Sequence, residues 1–126
     1  MPPSSEVALD IRTVLLVDDE PDIRQIAELS LRMVGKWEVT TAGSGRDALD
    51  RASANPPDLV LLDVMMPGMD GPETLRRLRE LPRLSRVPVV FMTAKAQKHE
   101  IEHYLGLGAA GVIVKPFDPM TLAGEI

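Results

Sequence analysis

The sequence predicts an open parallel α/β sheet with helices on both faces. Three observations predict it. Five apolar runs recur at fairly regular intervals along 126 residues. Three of those runs are continuous four-residue blocks, the pattern of strands buried on both faces. Helical spacing fills the intervals between them, and repeated strand–helix alternation gives a parallel sheet.

The elements follow in order. Residues 1–11 are polar, carry two prolines and read as a loose tail, leaving 12–126 as a single domain. Val14-Leu15-Leu16-Val17 is the first strand. Ile23, Ile26, Ala27, Ser30 and Val34 keep helical spacing until Gly35 stops the helix. Trp37-Glu38-Val39-Thr40-Thr41 alternates, which suits an edge strand. Ser44 can cap a helix carrying Ala48, Leu49 and Ala52, which ends before Asn55-Pro56-Pro57. Leu59-Val60-Leu61-Leu62 is the third strand, and Leu75, Leu78 and Leu81 mark a helix that Pro82 ends. Val89-Val90-Phe91-Met92 is the fourth strand. Ile101, Tyr104, Leu105 and Gly108 form the next helical stripe, followed by the strand Val112-Ile113-Val114. Asp118-Pro119 opens a last helix of nine residues, with Asp as cap and Pro in the first position.

Composition narrows the function. Hydrophobic residues are 44% and charged residues 26%, which is ordinary for a globular chain. The absence of cysteine excludes disulfides and thiolate metal sites. A net charge of −5 argues against coating nucleic acid or an anionic membrane. Every apolar run is too short to span a bilayer, and the N-terminus lacks a signal-peptide pattern, so the expected location is cytoplasmic.

In open α/β sheets the site lies beyond the carboxyl ends of the strands. Those ends carry Asp18-Asp19-Glu20, then Asp63, Thr93 and Lys115-Pro116. Carboxylates converging on one rim repel each other unless a cation relieves them. Oxygen ligands without cysteine select a hard cation, most simply Mg²⁺. A carboxylate beside Mg²⁺, a lysine and a hydroxyl is suited to phosphoryl transfer, with Asp as nucleophile.

The segments Leu16-Val17-Asp18-Asp19-Glu20, Leu61 through Gly71, Met92-Thr93-Ala94 and Val114-Lys115-Pro116-Phe117 make the chain resemble the receiver domain of two-component response regulators. Within that family the chain resembles the single-domain chemotaxis-type regulator. The resemblance covers about residues 12–126. It implies a flavodoxin-like, doubly wound (βα)5 fold with strand order 2-1-3-4-5. It implies Asp63 as phosphoacceptor, Asp19 as direct metal ligand, Asp18 as a helper through water, and Met65 as a backbone-carbonyl ligand. Lys115 would pair with Asp63 and then with the phosphoryl group, and Thr93 would act as the switch. The Lys115–Pro116 bond would be cis.

By the same resemblance the chain is no general enzyme. It would take a phosphoryl group from a histidine kinase or phosphotransfer protein, with Mg²⁺, and would catalyse only its own phosphorylation and dephosphorylation. The altered face near the fourth helix and fifth strand is then read by an output protein, by an effector domain beyond this chain, or by a second copy in a phosphorylation-dependent dimer. Residues two beyond the acceptor and the switch, Met65 and Lys95, are expected to hinder water and prolong the phospho-state. Two departures stand out. Val112 occupies the position where many receivers have an aromatic ring, and the last helix is short. The alternative is a receiver-fold interaction module that works without phosphorylation. A flavin carrier would need a Gly/Ser/Thr-rich loop where Asp18-Asp19-Glu20 stand.

Two further motifs carry potential chemistry. His99-Glu100-Ile101-Glu102-His103 matches the zinc-protease pattern H-E-x-x-H, but the periodicity turns both histidines away from the apolar stripe. Chance capture of Ni²⁺ or Zn²⁺ is the more modest expectation. Arg76, Arg77, Arg79, Arg83 and Arg86 read as a solvated basic face, with an acidic docking partner as the minority reading.

Overall fold

The apolar blocks become strands because each can bury side chains on both sheet faces. The computed structural model describes residues 11–94 and 97–115. In chain order the elements are β1 (Thr13–Val17), α1 (Pro21–Met33), β2 (Glu38–Ala42), α2 (Gly45–Ala54) and β3 (Leu59–Asp63). There follow α3 (Gly71–Glu80), a 3₁₀ turn (Pro82–Leu84), β4 (Val89–Thr93), α4 (Lys98–Gly106) and β5 (Gly111–Val114). Residues 1–10 of the expected tail (1–11), Lys95, the cis bond at Pro116 and the helix from Asp118 lie outside the described residues, while Ile11, the last residue of that tail, packs partly buried against the core.

All four strand pairings are parallel, in the order β2-β1-β3-β4-β5. Every residue of β3 and β4 is buried, as their unbroken apolar blocks require. Edge strand β2 alternates exposed and buried at its first three residues. Alternate side chains sort the core into two layers. Leu15, Val60, Leu62 and Phe91 pack with Ala48 and Ala52 of α2 and with Leu75 and Leu78 of α3. Val14, Leu16, Leu61, Val90 and Met92 pack with Ala27 and Leu31 of α1 on the other face.

The caps agree with the sequence. Ser44 accepts a hydrogen bond from the Asp47 amide at 3.1 Å and starts α2. Asp70 does the same for α3, accepting from the Glu73 amide at 2.9 Å. Pro82 ends α3 as expected and opens the 3₁₀ turn.

Two helical stripes differ in detail. In α1 the buried positions are Ala27, Ser30 and Leu31, while Ile26 and Val34 are exposed. Ala27 and Leu31 are the residues seated on the sheet, and Ile26, about 100° around the helix from Ala27, falls on the flank. Helix α4 stops at Gly106, before Gly108, whose φ of +106° terminates the turn in a conformation only glycine adopts easily. Leu105, placed in the inward stripe by spacing, is exposed. Tyr104 is the anchor, its ring meeting Phe91 edge-on at 5.4 Å.

Candidate functional site

The parallel register brings the ends of β1, β3, β4 and β5 to one rim. Asp18 follows β1 directly and is fully buried (0% exposed), and Asp63 ends β3 at 4%. Asp63 pairs in register with Met92, one residue before the buried Thr93. Lys115 follows β5, and its amide donates to the Thr93 carbonyl at 2.7 Å. The strand ends expected to converge therefore do so.

Asp18, Asp19, Glu20 and Asp63 each bring a carboxylate oxygen to within 4.8 Å of the others. Asp19 is half-buried and Glu20 exposed, so the cluster opens to solvent on that side. The Lys115 ammonium lies 2.8 Å from Asp18 Oδ2 and 3.2 Å from Asp63 Oδ1, with its side chain 10% exposed. Asp18 Oδ1 accepts the Glu20 amide at 2.9 Å. The lysine partner expected for Asp63 is thus shared, and its shorter contact is to Asp18.

Charge and burial tune these groups. Burial first, and then the Asp18 charge, push the Asp63 carboxyl up to about 6, against the opposing pull of Lys115 and a backbone hydrogen bond from Met65. Burial pulls the Lys115 ammonium down, but pairing with Asp18 and Asp63 outweighs it and leaves its pKa raised. The lysine is therefore charged at neutral pH and offsets part of the acidic repulsion. The carboxylate set fits a hard, oxygen-seeking cation, and no soft ligand competes within it.

Neighbouring residues shape the acceptor loop. The Gly71 amide donates to the Val64 carbonyl at 2.9 Å. A Cβ on Gly71 would sit 2.5 Å from the Asp63 carbonyl oxygen, so this close approach demands glycine. Met65 is 70% exposed, two residues beyond Asp63. Val112 pairs in register with Phe91 on β4, one turn of the pleat below Thr93 and Val114. The ring that the fifth strand lacks has a counterpart on the same face, because Tyr104 packs on Phe91.

One contributor escaped the sequence reading. Arg24 of α1 donates to the Asp18 carbonyl at 2.7 Å and passes close to Gly43. It ties the acidic turn to the loop after β2. An arginine between Ile23 and Ala27, on the helix face turned to the sheet, was the available signal.

The two remaining motifs resolve simply. Arg76 pairs with Glu73 and Glu80, Arg77 pairs with Glu73, and Arg79 donates to the carbonyls of Leu84 and Val87. The core of the basic stretch is internally neutralised, in line with a solvated face. His99 and His103 are both exposed on α4, which gives no protease cleft among the described residues.

Comparison with known proteins agrees with the geometry. Residues 14–126 match the response regulator receiver domain family, and the chain belongs to that family. Response regulator Rre1 of Synechocystis is 37% identical over 107 residues, covering 85% of this chain and 46% of that protein. Transcriptional regulatory protein CseB of Streptomyces avermitilis is 39% identical over 113 residues, covering 90% and 46%. The chemotaxis protein CheY4 of Vibrio cholerae has a similar structure, with TM-score 0.84 and 35% identity, covering 91% of this chain and 95% of that one. The chain spans about half the length of the curated relatives it matches. Phosphorylation-dependent switching in two-component signalling is the family's general role.

Proposed function

We propose that this chain is a phosphorylation switch that accepts a phosphoryl group on Asp63 from the phosphohistidine of a histidine kinase or phosphotransfer protein. The observation that carries the reading is the four-carboxylate cluster with Lys115 bridging Asp18 and Asp63. In the transfer the donor's P–N bond breaks and a P–O bond to Asp63 forms. Asp63 reacts as the carboxylate, and a carboxyl pushed up to about 6 is ionised at neutral pH.

Mg²⁺ fits the oxygen donors, and bound there it would neutralise phosphoryl charge. Asp19, Asp18, Asp63 and the Met65 carbonyl are the groups that would hold it. Lys115 turns from Asp18 to the incoming phosphoryl oxygens, and the Thr93 hydroxyl donates to the same group. Movement at Thr93 is passed along β4 and β5 through Phe91, Val112 and Tyr104 to the α4–β5 face. An output protein, an effector domain outside this chain, or a second copy would read that face. The chain's own catalysis is confined to gaining and losing its phosphoryl group.

The test is intact mass after incubation with acetyl phosphate and Mg²⁺. One added phosphoryl group, absent with a chelator and in Asp63→Asn, supports the switch. No gain from acetyl phosphate or from any phosphohistidine donor would favour the interaction module. Thermal stability is the right companion readout for Mg²⁺, because a ligand of the native state must stabilise it. Fluorescence of the single tryptophan, Trp37, is a poor reporter of Mg²⁺, because Trp37 precedes β2 at the opposite end of the sheet from the site.

A further inference from the structure

We infer a second cation site on this chain: His99 and His103 form a two-imidazole clip on the outer face of α4 for one borderline divalent ion, Zn²⁺, Ni²⁺ or Cu²⁺. Both residues lie within α4 (Lys98–Gly106), one turn apart, and both are exposed. Residues four apart on a helix are direct neighbours, roughly 5–6 Å between Cβ atoms. That spacing lets two imidazole nitrogens meet one ion, with water in the remaining positions.

The chemistry separates this site from the acidic rim. Imidazole prefers borderline transition ions, and carboxylate clusters take Mg²⁺. The helix N-terminus, close to His99, disfavours a cation, but Glu100 and Glu102 on the same helix offset it. The ring of His103 also rests beside Tyr104, at 5.7 Å between centroids. That contact limits the orientations this imidazole must give up on binding.

The consequence falls on α4 itself. The helix has nine residues, no fully buried side chain and no side-chain N-cap. So short a helix is marginal without tertiary support. An ion bridging one turn binds only the helical form and stiffens it.

The experiment is a Zn²⁺ titration of the full chain in excess Mg²⁺, read by imidazole-ring NMR and amide hydrogen exchange. The chain has 2 histidines, both in this clip, so the ring signals report the site directly. Both rings should shift with one midpoint, and α4 amides should exchange more slowly. His99→Asn and His103→Asn should each weaken binding by about a hundredfold, the loss expected when a second tethered contact is removed. Unmoved rings, two separate midpoints, or single variants that bind like the wild type would overturn the site. Both substitutions lie on an exposed surface, and an unchanged melting curve without Zn²⁺ verifies that they fold.

Discussion

Replacing Asp63 by asparagine should stabilise the protein when divalent ions are chelated. The buried carboxyl of Asp63 is pushed from 3.8 to about 6, mostly by burial and by Asp18. A group whose folded pKa is raised binds its proton more tightly in the folded state. Ionising it therefore costs stability, and that cost appears as pH rises from about 4 to about 6 and persists above. At about 1.4 kcal/mol per tenfold change in proton affinity, the cost at pH 8 is roughly 3 kcal/mol. Asparagine is neutral and keeps an oxygen for Lys115, so most of this cost disappears. At a few degrees per kcal/mol for a domain of this size, the melting temperature should rise by roughly 10 °C. The assay is thermal unfolding of both proteins in chelator at pH 8 and pH 4. The gain should be large at pH 8 and small at pH 4. A gain that is equal at both, or a less stable variant at pH 8, would refute the electrostatic reasoning. With Mg²⁺ added, the wild type should recover stability and the variant should gain little.

Lys115→Met should lower stability by about 3 kcal/mol in chelator, since it leaves the fully buried Asp18 without its cation; urea unfolding measures it, and Mg²⁺ should restore part of the loss. Gly71→Ala should destabilise by about 2 kcal/mol or more and slow phosphorylation, because its Cβ falls 2.5 Å from the Asp63 carbonyl. Paired measurements of urea midpoint and phosphorylation rate check this. Met65→Asn should shorten the phospho-state severalfold by replacing an exposed apolar side chain beside Asp63 with one that can hold water. Loss of the phosphoryl group followed by intact mass gives the lifetime.

Most of the fold is legible because parallel strands buried on both faces leave an unbroken apolar signature. Ser44 and Pro82 are local signals that need no tertiary information. The site is legible for a related reason. In a parallel sheet every strand delivers its last residue to one rim, so Asp18, Asp63, Thr93 and Lys115 converge once the strands are recognised. Side-chain partnership is another matter. The closer approach of Lys115 to Asp18 than to Asp63 depends on how β5 ends relative to β1, with two strands between them. The Arg24 tie and the Tyr104–Phe91 contact depend on helix orientation, which spacing fixes only to within a residue or so. That looseness also explains Ile26 and Leu105, which spacing placed inward and the packing leaves exposed. The neutralisation of the arginine stretch is legible in the sequence, since Glu73 and Glu80 stand three and four residues from Arg76.

Asp63 alone among the clustered carboxylates is expected to become the acyl phosphate. Borohydride converts an aspartyl phosphate to homoserine, so peptide mapping of the phosphorylated, reduced protein identifies the acceptor. Homoserine at position 63, with Asp18, Asp19 and Glu20 unchanged, is the outcome expected of this assignment. Reduction at any of those other acids, with Asp63 intact, would contradict it.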